Sequence, residues 1–306
     1  MRIINQTLRT SLSASAIFVI AMPVAAQQKP ATPSTMWAPV EEALGRKGAM
    51  QPGDVIKFAI PRSDLTVTVG GVTLKPALAL GGWTAFKEIG KGQAMVMGDL
   101  VLTEDEVGAV MRALQAGGVE QTALHNHVLA ESPRVMYMHI SAHGDATKIA
   151  HAIHDALAQS KTPLGTPGAA AAPSAADLDT TGIAKALGIA GKLNGVVYQV
   201  SVPRSEKIME TGHEVPPSMG VATAINFQPT GGGKAAITGD FVLRASEVNP
   251  VIRALRENGI EVTALHSHML EEEPRLFFMH FWANDDAVRL AKGLRAALDK
   301  TNSKKS

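Results

Sequence analysis

The chain has 306 residues, 45% of them hydrophobic, 19% charged and 4% aromatic, with a formal charge of +1. That is too apolar for a disordered polymer and too evenly charged for a nucleic-acid surface or a polybasic membrane patch. Cysteine is absent, which excludes disulfides, thiolate metal sites and a cysteine nucleophile, and leaves chemistry to histidine, carboxylate, hydroxyl and basic side chains.

Residues 1–26 read as a signal peptide. Arg2 and Arg9 precede an apolar run from Ser13 to Val24, and Val24-Ala25-Ala26 supplies the small residues of a cleavage site. The run is too short, and too interrupted by Pro23, to span a bilayer. The expectation is an exported protein, periplasmic or secreted, with no stable membrane insertion.

The rest of the chain repeats itself. Gly98-Asp99-Leu100-Val101-Leu102 returns as Gly239-Asp240-Phe241-Val242-Leu243, and Ala123-Leu124-His125-Asn126-His127 returns as Ala264-Leu265-His266-Ser267-His268. Glu131, Pro133, Arg134, Met138 and His139 return as Glu272, Pro274, Arg275, Met279 and His280 at the same constant offset. Pro61-Arg62-Ser63 answers Pro203-Arg204-Ser205 more weakly upstream. Two long copies mean a duplicated domain, since a solenoid needs more and shorter units. The expected organisation is repeat 1 over 37–159, an Ala/Pro/Gly/Ser/Thr-rich linker over 160–181 and repeat 2 over 182–300.

Within repeat 1, Val55 to Ile60, Leu65 to Leu74 and Ala94 to Leu102 have strand composition bounded by Gly or Pro. Thr103-Glu104-Asp105-Glu106 is a capping box, followed by Val107, Val110, Met111 and Leu114 at helical spacing and a stop at Gly117-Gly118. Val119 to Leu129 and Val135 to Ala142 read as two further strands, and Asp145 opens a second helix with Ile149, Ile153 and Leu157 inward. The fold class is therefore α+β: two tandem copies of a mostly antiparallel sheet with helices on one face, related by a pseudo-two-fold axis.

Side chains alternate along a strand, so His125 and His127 point the same way. With the return strand antiparallel about a tight turn near Ser132, His139 is expected opposite His125 and Tyr137 opposite His127. The second copy places His266, His268 and His280 alike. Three imidazoles leave one position of a zinc ion open, the pattern of catalytic sites. The implied cofactor is a divalent transition metal, zinc favoured over copper. Glu131 and Glu272 could each be a ligand, the general base for a metal-bound water, or a polar turn residue. Arg134 and Arg275 could clamp an anionic substrate or form a turn salt bridge. Asp99 and Asp240 could orient a histidine from behind or cap a turn. The histidines could equally form a structural polar network between the halves.

The doubled Ala-Leu-His-x-His … Glu-x-Pro-Arg … Met-His pattern, preceded by Gly-Asp, resembles the bacterial LppY/LpqO lipoprotein family over about residues 37–300. Membership implies export and supplies no established reaction. The lipoprotein members need a cysteine for acylation, and its absence here excludes a lipid anchor. His125-x-His127-x-x-x-Glu131 also has the spacing of a first cupin motif, but the glycine after the glutamate is missing and helices interrupt the strands, so a cupin fold is rejected. The functional expectation is an exported metal-binding protein with a His-x-His…His site in each repeat, open to hydrolase-like chemistry, whose partner is a small molecule, an anionic one being allowed. The alternative is a non-catalytic periplasmic module that binds a small ligand and uses its histidines structurally.

Overall fold

The structure is a computed structural model that describes residues 36–165 and 177–304. The expected signal peptide lies outside the described residues, as do residues 166–176 of the expected linker.

Repeat 1 runs α1 (Trp37–Leu44), β1 (Ala49–Gln51), β2 (Val55–Pro61), β3 (Thr68–Val69), β4 (Val72–Thr73), β5 (Gly81–Gly90), β6 (Gln93–Thr103), α2 (Glu104–Ala116), β7 (Glu120–His125), β8 (Val135–Asp145) and α3 (Ala146–Leu157). Repeat 2 runs α4 (Thr180–Leu187), β9 (Lys192–Asn194), β10 (Val197–Pro203), β11 (Met209–Glu210), β12 (His213–Glu214), β13 (Ala222–Gly231), β14 (Lys234–Leu243), α5 (Ala245–Glu257), β15 (Glu261–His266), β16 (Phe277–Asp286) and α6 (Ala287–Leu298). Each repeat forms one six-stranded antiparallel sheet, in the orders β1-β2-β5-β6-β8-β7 and β15-β16-β14-β13-β10-β9. Among the described residues no helix is long and apolar enough to cross a membrane.

Local signals fix the helix starts. Glu106 Oε2 accepts from the Thr103 amide at 2.9 Å, and Asp145 accepts from the Lys148 amide at 2.9 Å, each satisfying a donor that the first helical turn leaves open. In repeat 2, Glu247 and Asp286 do the same for the Arg244 and Arg289 amides, both at 2.7 Å.

The expected strand from Leu65 to Leu74 is a correction. Only the two-residue strands β3 and β4 form there, turning at Gly70 and Gly71, whose φ of 55° and 82° is the left-handed region glycine tolerates. Strands β5 and β13 carry the sheet instead; the glycines that open and close β5 hid its alternation.

The three helices of each repeat cover the outer face of its own sheet, burying Phe58, Phe86, Val96, Leu100 and Ile140 in repeat 1 and Phe227, Phe241, Met279 and Phe281 in repeat 2. The inner faces meet. Val67, Val69, Leu74 and Leu78 of repeat 1 pack with Val197 and Ala236 of repeat 2, and Ile208, Val215, Met219 and Val221 of repeat 2 pack with Val55, Ala85, Met95 and Met97 of repeat 1. Each copy thus lays its small hairpin segment on the other's sheet, a reciprocal embrace of pseudo-two-fold form. Two hydrogen bonds repeat that symmetry beside the histidines: Thr122 Oγ1 donates to the His268 carbonyl at 2.6 Å, and Thr263 Oγ1 donates to the His127 carbonyl. The methionines at 95, 97 and 138 are core filler in this arrangement.

Candidate metal centre

The Gly-Asp motif sits at the middle of β6 and β14, where a strand must approach its neighbours closely. A Cβ on Gly239 would lie 2.0 Å from the Ala224 carbonyl oxygen, and one on Gly98 would lie 2.9 Å from the Trp83 carbonyl oxygen. Both obstacles are backbone and cannot swing aside. The Gly239 carbonyl then accepts from His280 Nδ1 at 2.6 Å, so the glycine also orients a histidine. Gly239→Ala is expected to lower stability by ~1–3 kcal/mol, the usual range for overpacking, and to displace His280. A urea midpoint equal to that of the parent protein would refute this.

The register of the histidine strands differs from expectation. Tyr137, not His139, pairs with His125, and His139 pairs with Ala123; repeat 2 does the same with Phe278 opposite His266 and His280 opposite Ala264. The connection from 126 to 134 is longer than a tight turn, and β7 carries an irregularity between Gln121 and Ala123. The displacement is two residues, and an even shift keeps every side chain on its face. His139 therefore still shares the inner face with His125. His127 lies past the end of β7, in a loop stopped by Asn126, whose Nδ2 donates to the carbonyls of Val128 and Thr263.

All six expected histidines converge in one place. His125 and His266, the equivalent residues of the two copies, stack with ring centroids 3.6 Å apart; His127 lies 3.9 Å from His280, and His139 lies 3.8 Å from His268. The third histidine of each repeat thus meets the second histidine of the other. His127 stacks on Tyr137 at 3.3 Å and His268 on Phe278 at 3.5 Å, so an aromatic ring backs each loop histidine.

Backbone carbonyls set the tautomers. A carbonyl only accepts, so His125 Nδ1 donates to Asn126 at 3.0 Å, His268 Nδ1 to Gly220 at 3.2 Å and His280 Nδ1 to Gly239. The proton on Nδ1 leaves Nε2 with its lone pair. Nε2 of each of the six histidines is buried without a hydrogen-bond partner, and so is Nδ1 of His266. A purely structural network would satisfy these atoms, because an unpaired buried polar group costs free energy. Buried ring nitrogens with free lone pairs that come together in threes fit a metal ion.

The electrostatics agree. Burial is the main force holding His125 down to about 3, and it also holds His127, His139, His266 and His280 below the ordinary range, with neighbouring imidazoles adding to the effect in each. Neutral imidazole is the ligand form. Asp240 keeps its charge: burial opposes it most, but His280 and His268 outweigh burial and hold the group low. Burial and then the Asp240 charge push Asp99 up to about 8, with Lys57 pulling the other way. Two buried carboxyls in one site share a charge unequally.

Three groups have donor atoms within 4.8 Å of one another: His125, His127 and His280; His125, His139 and His266; and Asp240, His266 and His268. The glutamates and arginines expected at the site fall outside these groups. Glu131 and Glu272 accept from the amides of Val135 and Leu276, four residues on, at 3.1 and 2.8 Å, bracing the loops that follow the histidine motif. Burial raises Glu131 to about 7, and its Oε2 is unpartnered. Arg134 is exposed beside Glu104 at 3.5 Å, and Arg275 donates to the Met269 and Leu270 carbonyls and to Glu272. Arg134→Ala is expected to change stability by under ~1 kcal/mol, as for most exposed ion pairs; a larger loss of thermal stability would contradict that placement. Lys57 was not visible as a neighbour of the centre from sequence, because β5 and its Trp83, over which the Lys57 ammonium sits at 3.8 Å, were not expected.

Comparisons with known proteins give a family and little more. No curated protein matches the chain. Two solved structures are distantly similar, each over 82% of this chain and 90% of its own: a trimeric bacterial microcompartment shell protein, PduB, at 15% identity and TM-score 0.20, and EtuB from Clostridium kluyveri at 11% and 0.19. At those scores neither supports an argument. A family profile of unknown function, DUF1529, described as Domain of Unknown Function (DUF1259), matches residues 38–159 and again 181–300. This chain, with its histidine motif present in both matched ranges, therefore belongs to that family of unknown function as a tandem pair of its domain.

Proposed function

We propose that this is an exported, LppY/LpqO-like protein, periplasmic or secreted and without a lipid anchor, that binds a divalent transition metal in one composite centre built by both repeats. The observation that carries the reading is the set of buried ring nitrogens, contributed by both copies, that make no hydrogen bond. Zinc is favoured over copper, since imidazole and carboxylate donors with no thiolate or thioether among them suit it. Three protein ligands leave a position where a small anionic molecule can bind, so a metal-dependent hydrolytic reaction is the chemistry this reading allows. The neutral imidazoles would hold the ion, and the loops braced by Glu131 and Glu272 would position His127 and His268.

Elemental analysis of protein purified without an affinity tag tests this. At least about one equivalent of transition metal is expected, lost in the His125→Ala, His266→Ala double variant. Less than about half an equivalent, unchanged in that variant, would overturn the proposal.

A further inference from the structure

We propose that the centre holds two metal ions at once and that its duplicated halves have become unlike: His125, His127 and His280 take one ion, and Asp240, His266 and His268 take the other. The inference rests on the metal-binding reading above. Of the three groups with donors within 4.8 Å, these two share no residue, so an ion in one leaves every donor of the other in place. The third, His125, His139 and His266, borrows one histidine from each of the others and describes the place a single shared ion would occupy. Each disjoint set offers three donors and an open position. One is wholly imidazole and neutral; the other has two imidazoles and a carboxylate.

Strict duplication would give equivalent sets, with Asp99 matching Asp240. Local differences break that equivalence. In repeat 2 the Gly220 carbonyl accepts from His268 Nδ1 at 3.2 Å, in a backbone conformation with φ of 87° that suits glycine. In repeat 1 the corresponding carbonyl, that of Ala79, is occupied by the Tyr137 hydroxyl at 2.9 Å, a hydroxyl that Phe278 lacks. The anchored His268 brings Nε2 to 2.9 Å from Asp240 Oδ2, in ion-pair reach though off the line of a hydrogen bond, whereas His127 Nε2 lies 3.6 Å from Asp99. Beside Asp99 stand Trp83 and the ammonium of Lys57; the matching positions in repeat 2 are the uncharged Ala224 and Gln199. Asp99 already has a cationic side chain for a neighbour, and Asp240 faces the imidazoles.

The donor sets select different ions. Three imidazoles suit zinc or copper, while two imidazoles and a carboxylate also accept harder ions such as manganese or ferrous iron. Two neighbouring ions can grip one oxygen-rich anionic ligand from both sides, which names the class of molecule the open positions would take.

Titrating metal-free protein with Co²⁺, followed by visible absorption and by bound metal after desalting, tests the inference. The native protein is expected to bind two equivalents, Asp240→Asn one, His127→Ala one, and Asp99→Asn two. The native protein loaded with Zn²⁺ alone is expected to retain two equivalents after desalting, a measurement that depends on no variant folding. A single equivalent of bound metal in native protein, or equal losses in Asp99→Asn and Asp240→Asn, overturns the two-ion inference and leaves the composite centre standing. No metal retained by native protein under either protocol overturns both.

Discussion

Metal-free protein is expected to lose stability steeply as the pH falls from about 6.5 to 4.5, by roughly a hundredfold in the unfolding equilibrium constant per pH unit. The sign follows from the buried groups. Burial first, with neighbouring imidazoles adding to it, keeps His125, His127, His139 and His266 neutral in the fold, the first of them down to about 3, and burial lowers His280 against the opposing Asp240 charge. The unfolded chain protonates the same residues near 6.5, so below that pH it binds more protons than the native state and each histidine favours unfolding about tenfold per unit. Three carboxyls act in the opposite direction. Burial holds Asp99 up to about 8, and Glu131 and Glu210 up to about 7, so they are protonated in the fold at pH values where the unfolded chain is still ionised. The five buried histidines outnumber the three carboxyls, and His143, lowered by burial as well, adds to the same side, which leaves the net loss stated, with maximum stability near pH 6.5. In the His125→Ala, His266→Ala variant two of these histidines are gone, and the slope should be much shallower over the same window. Saturating Zn²⁺ should move the acid transition of the native protein downward, because the ion competes with protons for the same lone pairs. Denaturant titrations at several pH values with chelator present read all three outcomes. A native slope no steeper than that of the variant would show that the histidines are not held neutral.

Arg62→Ala and Arg204→Ala are each expected to cost ~3–5 kcal/mol, the range for breaking one side of a buried ion pair. Arg62 is 0% exposed. Its guanidinium donates to Glu106 at 2.6 and 3.2 Å, to Asp64 at 2.9 and 2.8 Å, and to the Val101 carbonyl at 2.9 Å. Arg204 repeats this with Glu247, Glu206 and the Val242 carbonyl. The carboxylate each arginine grips also caps the helix start and takes a main-chain amide from the segment that follows the repeat, from Lys161 and Asn302 at 2.8 and 2.7 Å. One cation therefore ties a strand end, a helix start and the exit of the repeat together. Arg62→Lys is not expected to rescue, since an ammonium cannot reproduce the two-pronged contact. Urea unfolding of the alanine and lysine variants measures this; a loss under about 1 kcal/mol, as for an exposed pair, would contradict the assigned role. The contrast with Arg134 is instructive. Both arginines recur in the duplication, yet the one in the conspicuous histidine motif is exposed, and the one in the weaker Pro-Arg-Ser match organises each repeat.

How much was legible depended on the range of the interaction. The duplication, the caps at Thr103 and Asp145, the sharing of one face by His125 and His139, and the grouping of three histidines within each copy are local or periodic properties, and sequence spacing encodes them directly. The face survived a two-residue error in register because alternation has period two; the pairing partner did not, because it depends on loop length and on an irregularity in β7. Strand β5 escaped notice because its bounding glycines and its charged end break the apolar alternation that marks a strand. Spacing and periodicity alone specify a twice-built α+β protein with a repeated imidazole motif. The meeting of the two motifs in one centre, with the third histidine of each copy beside the second of the other, is set by packing between the repeats. The inner faces of two sheets come together to bury apolar surface from both repeats, and that is a long-range choice which no spacing within one repeat records.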